Sequence, residues 1–316
     1  MARRLSSFQT LALWTTAATY FLIFVGGLVR ASGAGLGCPD WPRCFGSWVP
    51  PASAADLPAG FDAAQFNPTL MWTEYLNRVL GVIVGLLILA TLVSAWRHHR
   101  HTARIFWTTL AAFLLVGFQG WLGGVVVEQE LAAWIVTVHM LVALLIVSLL
   151  LYATVFAFYA AAGTTPAAFP ARQPLSAMLL VVIVTTLAQV TLGTQVRERV
   201  DEALGNGVAR SDALSTVGAF DTWHRDVALL VIAGIAAVVW LVWRRHRFET
   251  ALVRATVAMV VLVLAQAAFG VTMAYGSLAP SAQVAHLAGS SLLLGAETLV
   301  FLLARWLPAQ ELRTKN

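Results

Sequence analysis

The sequence predicts an all-α, polytopic membrane protein. Hydrophobic residues make up 59% of the 316 residues and charged residues only 11%, against roughly 25% charged residues in an average soluble domain. The apolar residues form continuous blocks, and most reach the roughly 20 residues that a helix needs to cross a bilayer, without the alternation typical of barrel strands. These observations exclude a soluble globular enzyme.

Charged residues and prolines separate eight apolar blocks, which we interpret as eight transmembrane helices. The blocks cover residues 10–31, 70–96, 105–128, 131–160, 175–197, 219–243, 251–276 and 282–305. The first follows Met-Ala-Arg-Arg and has no small-residue cleavage site after it. We therefore predict a retained helix and not a cleaved signal peptide.

The basic residues predict the orientation, because Lys and Arg concentrate in cytoplasmic loops. With a cytoplasmic N-terminus, 13 of the 20 basic residues fall inside, among them Arg3, Arg4, Arg172, Arg313 and Lys315, and 12 of the 15 acidic residues fall outside. We therefore expect both termini in the cytoplasm and the protein in the cell (inner) membrane. The basic residues are spread over five short segments, which argues against nucleic-acid binding.

The two longest loops, 32–69 and 198–218, lie outside in this topology. The first contains the only two cysteines, Cys38 and Cys44, in the segment GCPDWPRCFG. An oxidising compartment permits a disulfide there. A structural cross-link and a redox-active pair both remain open as interpretations.

An internal repeat relates the two halves of the chain at an offset of 147 residues. The offset carries Gln119, Gly123 and His139 onto Gln266, Gly270 and His286, and Glu74, Asn77 and Arg78 onto Asp221, His224 and Arg225. With 20 extra residues allowed in the first outer loop, Arg30 also falls on Arg197. Four helices per repeat give both halves the same orientation. We therefore predict two tandem four-helix bundles, 1–160 and 170–316, related by a pseudo-twofold axis along the membrane normal.

Three histidines, His139, His224 and His286, lie near the outer ends of the fourth, sixth and eighth predicted helices. Ionisable residues in a membrane are costly and usually face a bundle interior. His224 and His286 lie at similar depth in the second half, where two opposed imidazoles suit a haem iron with both axial positions filled. Zinc or copper would need further ligands, and the sequence places none at that depth.

The first half offers His139 opposite Asn77, which is a poor iron ligand. This half therefore predicts either a haem with one open axial position or a decayed site that binds nothing. Glu74 lies three residues before Asn77 and so on the same helix face. Its carboxylate could relay protons or stabilise a developing cation, or it could simply lie among the lipid headgroups.

Other charged residues accompany the histidines. Four arginines lie at the same depth in the membrane as the histidines. Their guanidinium groups either pair with haem propionates or extend to lipid phosphates. They are Arg30, Arg78, Arg197 and Arg225. Glu297, 11 residues beyond His286, is interpreted as a proton-path residue or as a hydrogen-bonding partner of a neighbouring helix.

Five segments together resemble the heme A synthase family, membrane enzymes that oxidise a methyl group of heme O to a formyl group for terminal oxidases. They are GGLVRASGAGLGCPDWPRCFG, WTEYLNR, TVHM, TWHRD and VAHLAGS. The resemblance implies that His224 and His286 ligate a resident haem b, and that the pocket at His139 and Glu74 takes heme O. It also implies a disulfide between the two cysteines near the outer face, with a part in electron or thiol exchange.

The resemblance further implies the reaction and the partners. Heme O would be hydroxylated successively to an alcohol and a gem-diol, which loses water to give heme A. Heme O synthase, terminal oxidase assembly factors, an electron donor and membrane lipid would be the partners. The sequence departs from the family at Asn77, where many relatives have a histidine.

Two other classes of function are considered beside the synthase. A di-haem b-type electron-transfer protein would use the same histidines without porphyrin chemistry. A transporter built on parallel repeats would explain the symmetry but not the histidines.

Overall fold

The computed structural model describes residues 5–162, 173–276 and 278–306. Within these ranges, eight helices are long and apolar enough to cross a membrane. They are α1 (Ser7–Ala31), α2 (Pro68–His99), α3 (Ala103–Glu128), α4 (Ala133–Ala161), α5 (Gln173–Gly205), α6 (Ala219–Arg245), α7 (Thr250–Tyr275) and α8 (Pro280–Arg305). The predicted all-α class with eight membrane-spanning helices is confirmed.

Local sequence signals set several helix ends. Ser6 and Gln9 form a capping box at the start of α1, which satisfies backbone amides that have no partner within the helix. α2 begins at Pro68, and the Asn67 side chain accepts a hydrogen bond from a backbone amide of its first turn. A proline at the first helical position loses no hydrogen bond and already has a helical φ. These signals place the helix starts close to the predicted limits.

The predicted end of the fifth helix was wrong. The sequence predicted a helix over 175–197 and an outer loop over 198–218, but α5 continues to Gly205. Arg197 and Asp201 form an ion pair across one helical turn, and such i,i+4 pairs stabilise an exposed helix. The charged residues after 197 therefore extend the helix beyond the apolar core of the membrane.

The helices group into two sets of four. α1 and α3 each pack against α2 and α4, and α5 and α7 each pack against α6 and α8. Between the sets, α1 contacts α8, α4 contacts α5, and α4 contacts α8. If each helix is replaced by its counterpart in the other set, so that α1 exchanges with α5 and α4 with α8, the same contacts result. The pattern agrees with the predicted bundles 1–160 and 170–316 and their pseudo-twofold axis, which stay predictions.

The orientation of the termini also stays a prediction. Arg3, Arg4, Arg172, Arg313 and Lys315, on which that prediction partly depends, lie outside the described residues.

A large apolar cluster fills the second set of helices toward the end away from the histidines. In the second set, Leu179, Val238, Met259 and Val300 are fully buried in one apolar cluster. Contacts between helices in lipid depend on such close packing, because lipid tails are as apolar as the side chains. The opposite end, where His286 lies, is left free to enclose a ligand.

Candidate functional site

The second set of helices forms most of the wall of a cavity of about 530 Å³. His224 of α6 and His286 of α8 both line it, and their ring centroids are 6.4 Å apart. The volume lies within the range usual for ligand pockets, and such pockets commonly form between the helices of bundles. The structure thus brings together the two histidines that the sequence paired.

Within the described part of the chain, each imidazole has one buried ring nitrogen without a partner, while Nε2 of His224 lies 3.2 Å from Nε2 of Gln189. Nδ1 of His224 and Nδ1 of His286 are buried, and neither has a hydrogen-bond partner among the described residues. Buried polar atoms are rarely left without a partner. Two metal–nitrogen bonds of about 2 Å, with about 1 Å from each nitrogen to its ring centre, give a centroid separation of about 6 Å. That value is close to the observed one.

A porphyrin iron fits this pair better than a bare metal ion does. No group of three or more His, Cys, Asp or Glu side chains is placed to hold a metal ion within the described part of the chain. Zinc and copper sites normally use three or four protein ligands. A haem iron with two axial histidines needs only two, because the porphyrin supplies the remaining ligands.

Glycines leave space beside the histidine rings. A Cβ atom placed on Gly193 would lie 3.1 Å from Cε1 of His224, and one on Gly270 would lie 3.8 Å from Cε1 of His286. Gln266 of α7 donates a hydrogen bond to the backbone oxygen of His286 over 3.0 Å. These contacts place the ring of His224 beside α5 and the ring of His286 beside α7.

The first set of helices repeats both of the contacts made around His286. Gln119 of α3 donates a hydrogen bond to the backbone oxygen of His139 over 2.8 Å, and a Cβ atom on Gly123 would lie 3.7 Å from Cε1 of His139. Nδ1 of His139 is buried and has no hydrogen-bond partner within the described ranges. The surroundings of His139 therefore match those of His286.

The first set differs at the position that corresponds to His224. Asn77 stands there, and its buried Oδ1 has no hydrogen-bond partner among residues that the structure describes. Gly26, which the repeat aligns with Gly193, has no atom within 4 Å of an added Cβ. The smaller asparagine leaves open the space that an imidazole ring fills in the second set.

Glu74 contacts the cysteine-containing loop, an arrangement that the sequence did not suggest. Its side chain is 4% exposed, accepts a hydrogen bond from the Cys38 amide over 2.8 Å and pairs with Arg78. Arg78 also donates to the backbone oxygens of Cys38, Asp40 and Arg43. Glu74 and Arg78 thus hold the loop against α2.

The loop itself is closed by a disulfide between Cys38 and Cys44. Both cysteines are fully buried, together with Phe45 and Met71. Gly37 lies directly against the backbone of Leu70 in the first turn of α2, so closely that no side chain would fit. The disulfide is therefore part of a packed unit on the start of α2.

The four arginines predicted near the histidines all pair with carboxylates. Arg225 pairs with Asp221 over 2.7 Å, and Arg197 pairs with Asp201 over 2.8 Å. Arg30 reaches the same Asp201 over 2.7 Å. Arg30, Arg197 and Arg225 line the cavity that contains His224 and His286, whereas Arg78 of α2 contacts the cysteine loop. The sequence could not show that Arg30 of α1 reaches a cavity in the other half.

Glu297 forms the hydrogen bond to a neighbouring helix that was one of its two interpretations. It is fully buried, and its Oε1 accepts from the Thr186 hydroxyl of α5 over 2.8 Å. Its Oε2 has no hydrogen-bond partner among the described residues. Thr186 also lines the cavity. The carboxyl group of Glu297 therefore contacts a residue of the cavity wall.

Three relatives of similar length are named heme A synthase. The chain is 24% identical over 283 residues to that of Bacillus licheniformis, across 87% of this chain and 89% of the relative. It is 24% identical over 304 residues to that of Geobacillus kaustophilus, across 94% and 92%. For that of Halalkalibacterium halodurans, the identity is 26% over 281 residues, across 86% and 88%.

A family comparison covers nearly the whole chain. Residues 9–298 match the COX15-CtaA family, described as cytochrome oxidase assembly protein. The matched region includes every histidine, carboxylate and cysteine discussed above. The chain therefore belongs to the COX15-CtaA family of cytochrome oxidase assembly proteins.

Proposed function

We propose that this protein is a heme A synthase, a multi-pass membrane oxidoreductase that converts a methyl group of heme O to the formyl group of heme A. One observation carries the proposal: in a chain of this family, the rings of His224 and His286 lie with their centroids 6.4 Å apart in a cavity between helices. The named relatives are heme A synthases. They do not favour the electron-transfer protein or the transporter.

His224 and His286 would hold a resident haem b in the second half. When bound, this haem supplies a one-electron redox centre. Gln266 keeps the backbone of His286 in place, and Gly193 leaves room for the ring of His224. Arg197 and Arg225 supply positive charge on the wall of the cavity, which suits the acidic propionates of a haem.

The first half would bind heme O as substrate. His139 would ligate the substrate iron on one side, and Asn77 would leave the other side without a protein ligand. With dioxygen as the oxidant, each of two hydroxylations would insert one oxygen atom into a C–H bond of the methyl group, while two electrons from the donor and two protons reduce the other atom to water. The products would be an alcohol and then a gem-diol, which loses water to leave the aldehyde. Glu74 is held by Arg78 and the Cys38 amide, so it supports the loop beside this site, and a part in proton transfer would require that pairing to open.

The remaining partners and the location complete the proposal. Heme O synthase would supply the substrate, terminal oxidase assembly factors would receive the product, and a separate donor would supply electrons. The protein would lie in the cell membrane with both sites toward the outer face. Burial of Cys38 and Cys44 favours a structural cross-link over thiol exchange.

Haem analysis tests the reaction directly. The full chain is expressed with a source of heme O, and the haems are extracted from the membranes and separated by chromatography. Heme A or its alcohol precursor is expected, and His139→Ala should abolish both. If only haems B and O appear with the unaltered chain, the protein is not a heme A synthase.

Spectroscopy of the purified protein tests the resident haem separately. His224→Ala and His286→Ala should each abolish the low-spin haem b signal in a reduced-minus-oxidised spectrum. His98→Ala, in the exposed last turn of α2, serves as the control and should leave that signal unchanged. If the signal survives both changes at the cavity, the ligand assignment is wrong.

A further inference from the structure

Helices from both halves form the cavity that contains His224 and His286. Most of its wall comes from α5 to α8, but α1 and α4 also contribute residues. These are Gly27, Arg30, Ala31, Ala133, Val136 and Met140. The proposed haem b site is therefore not enclosed by the second half alone.

Small residues on both helices determine how closely α1 approaches α8. A Cβ atom on Gly27 would lie 3.0 Å from Cδ2 of Leu287, and Gly27 is buried. Further along the pair, Gly295 of α8 lies against the Tyr20 hydroxyl, so closely that no side chain would fit. Small residues let transmembrane helices approach closely. Arg30 follows Gly27 by three residues and so lies on nearly the same face of α1.

Arg30 lines the cavity, and one donor of its guanidinium group has no partner among the described residues. Its Nη2 lies 2.7 Å from Asp201 and 3.7 Å from Glu198. Its Nε is buried and has no hydrogen-bond partner in the described part of the chain. Arg197 binds the other oxygen of Asp201 over 2.8 Å. One carboxylate thus positions two guanidinium groups, from α1 and α5, on the same wall.

We propose that Arg30 binds a carboxylate of the porphyrin held by His224 and His286. The first bundle then contributes an essential part of the second bundle's haem site. This inference rests on the proposed function, because the ligand is the proposed resident haem b. A guanidinium group forms charge-assisted hydrogen bonds to carboxylates, and the free Nε of Arg30 is a donor for such a bond. Asp201 acts as a positioning residue for Arg30 and Arg197.

The test measures haem release and redox potential in the purified full-length protein. Release is followed as haem transfer to excess apomyoglobin, and the potential by spectroscopic titration. Arg30→Ala should release haem b about 10- to 100-fold faster, as expected for the loss of a hydrogen bond to a charged group. It should also lower the potential, because removing a positive charge disfavours the added electron.

Two further variants separate ligand binding from a purely structural role. Asp201→Asn removes a negative charge near the same wall and should raise the potential, opposite to Arg30→Ala. Arg30→Lys keeps the charge but loses the Nε donor, so haem release should be faster while the potential stays near that of the unaltered protein. Arg244→Ala is the control, since Arg244 lies exposed in the last turn of α6, at the end of that helix away from His224, and should not affect release.

The outcomes distinguish this inference from the proposed function. If the unaltered protein contains no haem b, the proposed resident haem is refuted and this inference with it. If haem b is present but Arg30→Ala and Asp201→Asn shift release and potential alike, Arg30 only ties α1 to α5 and the inference is wrong. Where Arg30→Ala does not fold, Arg30→Lys decides: unchanged haem release overturns the inference, and faster release supports it.

Discussion

Replacing Gly193 with alanine should weaken haem retention in the second half. The added Cβ atom would lie 3.1 Å from Cε1 of His224, whereas ordinary contacts of this kind are 3.4–4 Å. The ring of His224 must therefore move by about 0.3 Å or more, or α5 must shift relative to α6. Either movement changes the position of the His224 ring relative to that of His286, because well-packed interiors do not absorb added atoms freely.

The size of the effect follows from the cost of overpacking. Adding a methyl group to a closely packed site typically costs about 1–3 kcal/mol. If the ring can avoid the contact only by leaving its ligating position, that cost falls on the haem-bound state. Haem release should then be about 5- to 100-fold faster, with a smaller low-spin signal.

Gly26→Ala is the matched control, because the repeat aligns Gly26 with Gly193 and no atom lies within 4 Å of its added Cβ. Both changes replace a helical glycine, so both gain up to about 1 kcal/mol in helix propensity. Any difference between them then reports the contact with His224. The assay is transfer of haem b to apomyoglobin, with the thermal unfolding of each variant recorded in the same detergent.

The reasoning would be refuted by equal haem release from Gly193→Ala and Gly26→Ala. That result would mean that the ring of His224 moves freely in its pocket. It would also remove the argument that glycine is needed beside the proposed haem ligand.

Three further predictions concern other contacts. Cys44→Ser opens the disulfide ring, whose cysteines are separated by 6 in sequence. It should lower the free energy of unfolding by about 2 kcal/mol by the loop-entropy model. Thermal unfolding that matches the unaltered protein would contradict this. Glu74→Ala removes the acceptor of a buried loop amide and should lower the free energy of unfolding by about 1–3 kcal/mol. Glu74→Gln keeps an acceptor and should lower it less, again measured by thermal unfolding. Thr186→Val leaves the buried Glu297 without its hydroxyl donor and should destabilise the protein by about 1–3 kcal/mol. The control Thr185→Val removes only a hydrogen bond within its own helix, so its thermal unfolding should stay close to that of the unaltered protein.

The sequence predicted the number and approximate limits of the membrane helices because each span must satisfy its own backbone hydrogen bonds in lipid. That requirement is local, so a run of apolar residues suffices to recognise a helix. The prediction failed at the end of α5, where the helix continues through charged residues, among them the paired Arg197 and Asp201, that hydropathy does not recognise as helical.

The sequence by itself also determined the pairing of His224 with His286, since one offset relates them to Asn77 and His139. Only the tertiary structure decided which neighbours complete each site. It turned Glu74 to the cysteine loop and brought Arg30 of α1 to a cavity in the other half. These placements depend on the angles and depths at which helices pack, and such contacts between distant residues leave no periodic signal in the chain.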